Sequence, residues 1–255
     1  MEGIRLLEVT PPAADTRVAY SSDPNHFLDL RLPEDPDAVP LVFFIHGGFW
    51  RDRYDLTHAG WPCSGLTAAG FATANVEYRR VGSPGGGWPA SLQDIQAAWR
   101  FLSRSGARYR YDSSRTIVAG HSAGGQLALA LAAHEPTVTR VVSLAGVLDL
   151  RRAWELHLSN DAVVEFLGGT PQQTPEHYRD ADPMQLKIAA RQVVAHGSDD
   201  NIVTPDFSRN YVERKQARKE PVELKEIAGT DHFDLIDPQS RAWPQVTAAF
   251  QRLLA

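Results

Sequence analysis

Five consecutive apolar residues, Leu41-Val42-Phe43-Phe44-Ile45, leave this chain no polar face to turn toward water. A strand that is apolar at every position is buried on both faces, and such strands belong to parallel sheets covered by helices on each side. Short apolar, β-branched runs return at 71–78, 116–119, Arg140–Leu144, 192–195 and Val222–Ile227. Between them lie helix candidates with recognisable ends. Pro89 and Ser91 open a run in which Leu92, Ile95, Ala98, Trp99 and Leu102 recur at helical spacing, and Gly106 closes it. Ala123–His134 is rich in Ala and Leu and stops before Pro136, while 207–217 and 242–254 supply two more. Strands alternating with helices predict an α/β fold: a mostly parallel central sheet with helices on both faces. Residues 17–32 read as an antiparallel pair ahead of the parallel part. Residues 149–190 break the alternation, being helical and turn-like, and are expected to form a small insertion or cap. With no repeat and no linker in 255 residues, one domain over 1–255 is expected.

The run at 116–119 leads straight into Gly120-His121-Ser122-Ala123-Gly124, and a helix leaves it at once. A serine hydroxyl is a weak nucleophile at neutral pH and must be lifted clear of the backbone and presented to a base. A sharp strand-to-helix turn does this but crowds the positions two before and two after the serine, where this chain has glycine. The pattern alone is weak; the strand before it and the helix after it give it weight. Ser122 is therefore the candidate nucleophile.

Attack on a carbonyl creates a negative oxygen that needs N–H donors already aimed at it. His46-Gly47-Gly48-Phe49-Trp50 follows the strand 41–45 directly, which puts its amides at the carboxyl edge of the sheet beside Ser122. Gly48 and Ala123 are the expected donors, with Gly47 or Phe49 as a third. Phe49 and Trp50 fall at the mouth of the site, where they either line a substrate pocket or pack as loop core. His46 reads as a structural hydrogen-bonding residue.

The base is expected in the loop after the last strand, where His232 stands, and the acid after the preceding strand, where Asp199 and Asp200 are neighbours and only one can face the imidazole. Asp149 is a further candidate, after the strand Arg140–Leu144.

Composition narrows the remaining classes. A net charge of -5, from 26 Lys and Arg against 31 Asp and Glu, does not favour a nucleic-acid partner. The basic run 209–219 is interleaved with Glu213 and reads as the solvated face of a helix. Cys63 is the only cysteine, so an intrachain disulfide and a thiolate metal cluster are both excluded. The acidic start Met1-Glu2-Gly3-Ile4-Arg5-Leu6-Leu7-Glu8 lacks the pattern of a secretory signal, and no window is apolar for long enough to span a bilayer. A cytoplasmic protein with no membrane partner is expected. The other histidines show no metal spacing, Asp199-Asp200-Asn201 lacks the glycine and distal glutamate of a calcium loop, and Gly85-Gly86-Gly87 reads as a flexible loop instead of a phosphate cradle. No cofactor is expected.

Taken together, these motifs resemble the esterase and arylformamidase group of α/β-hydrolases over essentially the whole chain. His46-Gly47-Gly48-Phe49-Trp50 is similar to the His-Gly-Gly-x-Trp motif of kynurenine formamidases and related carboxylesterases. Tyr78-Arg79, Trp88-Pro89-Ala90 and Asp94 resemble a structural pattern of the same group, with Arg79 and Asp94 expected to pair. His196-Gly197-x-x-Asp200-x-x-Val203 resembles the acid loop of dienelactone-hydrolase-like and prolyl-oligopeptidase-like enzymes, and this favours Asp200 over Asp199. The resemblance implies a triad of Ser122, Asp200 and His232, and a serine hydrolase acting on a small-molecule ester or amide through an acyl-enzyme. A carboxylesterase on small or aryl esters comes first, an arylformamidase second, an acetyl or feruloyl esterase on decorated sugars third. A non-catalytic receptor on the same fold stands as the alternative of another class.

Overall fold

A computed structural model describes residues 5–34 and 38–255; the first residues of the amino-terminal stretch read above, 1–4, lie outside it. Eight strands form one sheet: β1 (Thr16–Ala19), β2 (Phe27–Arg31), β3 (Val39–Ile45), β4 (Ala72–Val76), β5 (Tyr111–His121), β6 (Arg140–Leu144), β7 (Arg191–Gly197) and β8 (Val222–Ile227). Their order is β1-β2-β4-β3-β5-β6-β7-β8. β1 and β2 pair antiparallel, as does β2 with β4, and every later pairing is parallel. The all-apolar run of β3 sits near the middle, so it is buried on both sides.

The helices are α1 (Arg5–Glu8), α2 (Gly60–Ala68), α3 (Ala90–Leu102), α4 (Gly106–Tyr109), α5 (Ala123–His134), α6 (Leu150–Glu155), α7 (Ala162–Leu167), α8 (Pro175–Ala181), α9 (Asp206–Ala217) and α10 (Trp243–Leu254). The two faces of the sheet carry separate cores. Leu41, Phe43 and Ile45 of β3 pack with Ile95 and Trp99 of α3, Leu127 and Leu131 of α5, and Phe207 and Tyr211 of α9. Val42 and Phe44, pointing the other way, pack with Cys63 and Leu66 of α2 and with Val246, Phe250 and Leu253 of α10. This is the two-residue period of a strand, with oil on both sides. Each such fully buried side chain stabilises the fold by about 1.5–3 kcal/mol. α10 shows the matching helical period, Val246, Ala249, Phe250 and Leu253 inward, with Pro244 in its first turn. α5 is buried from Ala123 through Ala132, and its Ala and Leu content has no polar side to present.

The stretch 149–190 runs from β6 to β7 and holds α6, α7 and α8. Asp149 caps α6 by accepting from the Arg152 N–H at 2.9 Å. Arg79 and Asp94 pair as the motif pattern suggests: Nη2 donates to Oδ1 at 2.6 Å and Nε to Oδ2 at 2.8 Å. One surface reading is corrected. Within the basic run on α9, Lys215 is fully buried and ion-paired with Glu220 at 3.2 Å, because its stem crosses the α9 core edge to reach that carboxylate and the Leu186 carbonyl. In the glycine run at 85–87, Gly86 is confined, since a Cβ there would stand 1.8 Å from the Arg80 carbonyl oxygen, while Gly85 is exposed. Among the described residues, no helix is long and apolar enough to cross a membrane.

Candidate active site

Strand register brings the motifs to one edge. Ile45 of β3 pairs with Gly120 of β5, so the loops after both strands leave side by side. Gly197 of β7 pairs with Ile227 of β8, which likewise places the loops carrying Asp200 and His232 together.

Ser122 is left-handed, at φ 56 and ψ -121, between β5 and α5. A non-glycine residue held there marks a turn forced by its surroundings. The forcing contacts are backbone: a Cβ on Gly120 would lie 2.1 Å from the Gly124 carbonyl oxygen, and one on Gly124 2.1 Å from that of Ile45. The Ser122 side chain makes no capping bond to its own helix, and it lines a cavity of about 140 Å³. His232, Gly48, Phe49, Arg53, Tyr54 and His58 share that cavity, together with Leu7, His121, Ser159, Ile202 and Phe233.

Nδ1 of His232 lies 2.6 Å from Oδ2 of Asp200. Oδ1 of the same carboxylate accepts from the N–H groups of Ile202 and Val203, both at 2.9 Å. Burial alone would raise the Asp200 carboxyl, yet the bonds from His196 and His232 outweigh it and hold the group well below its ordinary value. His196 is itself fixed by Ser208 Oγ at 2.6 Å and the Val203 carbonyl at 2.8 Å. Asp199 points out to solvent, bonded to its neighbour Ser198 at 2.6 Å. Asp149 is occupied in its helix cap.

The loop after β3 is held from beneath. The ring nitrogens of His46 face the Gly47 carbonyl at 2.8 Å and the Glu77 carboxylate at 3.1 Å, and the Tyr78 hydroxyl donates to the His46 carbonyl at 3.0 Å. His46 thus has the structural place its position suggested. Glu77 also accepts from the N–H groups of Tyr78 and Leu56. Burial opposes its charge, but His46 and Arg80 draw its carboxyl below the ordinary value. Above this base Gly48, Phe49 and Trp50 are all left-handed, at φ 111, 51 and 59, which turns the chain sharply at the cavity rim. Gly47 packs on the elbow, where a Cβ would come within 2.9 Å of the His121 carbonyl oxygen. Ala123 begins α5, where an N–H has no acceptor within its own helix.

Phe49 lines the cavity and Trp50 does not. Trp50 is only 1% exposed, stacks on Phe166 of α7 with centroids 4.6 Å apart, and donates from Nε1 to Gln126 Oε1 at 3.0 Å. The two rings stand edge to face with centroids 6.5 Å apart, yet only Phe49 reaches the cavity, a distinction that residue type could not reveal.

Several lining residues were given no role by the motifs. His58 is one; burial first, and then the neighbouring His46, push its imidazole down to about 3, so a neutral ring stands beside Gly48. His121 is another, kept neutral by burial and by His232, with Nε2 3.0 Å from the His232 carbonyl oxygen. His121 stood inside the serine motif, whereas nothing in sequence distinguished Tyr54, His58 or Ser159. Among the described residues, no group of three or more His, Cys, Asp or Glu is arranged to hold a metal ion.

Sheet order, elbow and carboxyl-edge loops define an α/β-hydrolase. The chain belongs to the BD-FAE family, whose model matches residues 28–214. Esterase LipC of Mycobacterium tuberculosis is 31% identical over 248 residues, covering 87% of this chain and 60% of LipC. The chain therefore spans about three fifths of that relative's length. Kynurenine formamidase avaC of Aspergillus versicolor is 30% identical over 162 residues, 52% of this chain and 54% of avaC. Among solved structures, a truncated carbohydrate esterase from gut microbiota superposes with TM-score 0.82 at 22% identity, over 96% of this chain and 99% of that one, a likeness of fold. The chain thus falls in the carboxylesterase and formamidase-like group of α/β-hydrolases that the motifs suggested.

Proposed function

We propose that the chain is a serine hydrolase that cleaves carboxylic esters, small or aryl esters first, through an acyl-enzyme. The observation that carries the reading is the 2.6 Å bond from His232 Nδ1 to the buried Asp200 carboxylate, with His232 and the left-handed Ser122 lining one cavity. Asp200 holds the ring so that Nε2 is left to take a proton. Ser122 Oγ attacks the ester carbonyl as its proton passes to His232 Nε2, and the oxyanion is received by the Gly48 and Ala123 N–H groups, with Gly47 or Phe49 as a third donor. Collapse breaks the bond to the alcohol oxygen, which leaves with the proton from His232. Water then attacks the acyl-enzyme along the same proton route, releasing the acid and restoring Ser122. Asp200 stays ionised throughout and stabilises the imidazolium.

One domain over 1–255 suits this reading, with 149–190 as a partial cover, since Ser159 of that stretch lines the cavity. A cytoplasmic location suits the lone Cys63, whose buried thiol is pushed up to about 12 and so is inert. Arylformamidase activity is the second reading, favoured by the likeness to avaC over 52% of the chain.

Labelling of the purified chain by a fluorophosphonate, lost in Ser122→Ala, tests the class. A folded wild-type chain that resists the label would overturn it in favour of a receptor. Turnover of p-nitrophenyl acetate against N-formylkynurenine ranks the two enzymatic readings.

A further inference from the structure

We propose that Arg51 determines acyl-chain specificity by clamping the turn at 159–161 over the cavity. The inference rests on the hydrolase reading above and names the substrates that site admits. Arg51 follows the left-handed loop directly and is tied to it by its own N–H, which donates to the Gly48 carbonyl at 3.1 Å. Its side chain, 15% exposed, reaches across into the stretch 149–190. Nε donates to Glu165 Oε2 at 2.7 Å, Nη1 to Ser159 Oγ at 3.3 Å and Nη2 to the Asn160 carbonyl at 3.0 Å. One planar guanidinium thus fixes three acceptors at once, which a flexible ammonium does not reproduce.

What it fixes is a segment in an uncommon backbone conformation. Ser159, Asn160 and Asp161 are successively left-handed, at φ 51, 53 and 56, and none is glycine. Such a run is unfavourable and persists where surrounding structure imposes it. Ser159 both receives the Arg51 bond and lines the cavity with Ser122. The neighbouring apolar contact is anchored separately: Trp50 stacks on Phe166 and bonds Gln126, whose Nε2 donates to the Ala181 carbonyl at 2.8 Å. Arg51 is therefore the polar lock on the part of the cover that borders substrate. A wall held this way keeps the cavity near 140 Å³, the size that takes a single benzene-like ring. On this inference acetyl, butyryl and single-ring acyl groups are favoured over a straight chain of eight carbons, whose far end meets the 159–161 wall.

The test is kcat/KM for p-nitrophenyl acetate, butyrate and octanoate with the wild type, Arg51→Ala and Arg51→Lys. The wild type is expected to lose at least about tenfold between butyrate and octanoate, and Arg51→Ala to close that gap by about tenfold, with Lys between them. The ratio cancels any general loss of rate from disturbing the loop nearby. Should Arg51→Ala fail to fold, Glu165→Gln combined with Ser159→Ala opens the clamp from its other side and is expected to shift the ratio the same way. A butyrate-to-octanoate ratio within twofold of wild type in a folded clamp variant would overturn the inference alone. A wild type that hydrolyses none of the esters would overturn the ester-hydrolase reading, and this inference with it.

Discussion

His121 donates from Nε2 to the backbone carbonyl of His232 at 3.0 Å, with the two rings 4.5 Å apart. The side chain next to Ser122 thereby holds the backbone of the imidazole that faces it, while Nδ1 of His121 stays buried without a partner. The strand-to-helix elbow and the loop after β8 are thus joined by a single hydrogen bond spanning 111 residues of chain.

His121→Phe keeps the ring and removes the bond. The expected result is about tenfold lower kcat, equivalent to about 1.4 kcal/mol, with KM within twofold. Thermal stability should change little, because an unpaired buried nitrogen disappears together with the lost bond. Steady-state kinetics on p-nitrophenyl acetate measures this, and a change confined to KM would remove His121 from the positioning of His232.

Asp200→Asn should cost about four orders of magnitude in kcat, since an amide in place of the carboxylate favours the wrong imidazole tautomer. Asp199→Asn, on an exposed side chain, should leave kcat within twofold. Loss of activity at Asp199 alone would transfer the acid role to it.

Gly48→Ala faces two obstacles: a φ of 111 that an L side chain rarely adopts, and a Cβ only 2.5 Å from Cβ of Tyr54. Relief of either moves the Gly48 N–H, so kcat is expected to fall by about two to three orders of magnitude. Retained turnover in a crystal structure with the loop displaced would exclude Gly48 as an oxyanion donor.

Asp182 supplies a stability test independent of catalysis. Burial, and then Asp149, raise its carboxyl to about 6, although it accepts from the N–H groups of Leu150 at 3.3 Å and Met184 at 3.1 Å. An unfolded aspartate titrates near about 3.9. A raised folded value means its contribution is intact below that point and is lost as pH rises through about 6. Asp182→Asn keeps the acceptor oxygen and removes the charge. It should therefore stabilise the chain at pH 7.5 by about 3 kcal/mol and give almost nothing at pH 4. Equal melting shifts at both values would mean that the charge is not the cause.

Much of this architecture was legible residue by residue. The unbroken apolar run at β3 could satisfy its side chains only between two helical layers, and the structure places Phe43 in one core and Phe44 in the other. Gly120 and Gly124 could be read because backbone crowding at a strand-to-helix turn is local, set by neighbours in sequence. The partner of Arg79 was implied by the family resemblance, and the structural place of His46 by its position at a strand end with His232 better placed as the base. Trp50 and Lys215 were not legible, since an aromatic ring at a rim and a lysine in a basic run have the same composition whether they face solvent or core. The left-handed φ values of Gly48, Phe49 and Trp50 itself, and the position of Glu220 after α9, decide those orientations.

The sequence by itself determined the layered α/β fold and the three motifs that bear its chemistry, because periodicity and close backbone contact act over a few residues. Which aspartate meets His232, which ring enters the cavity, and that Arg51 reaches the turn at 159–161 were decided only by tertiary structure. Those contacts join residues 32 to 109 positions apart. Their partners are selected by strand register and loop direction, which no local pattern of side chains encodes.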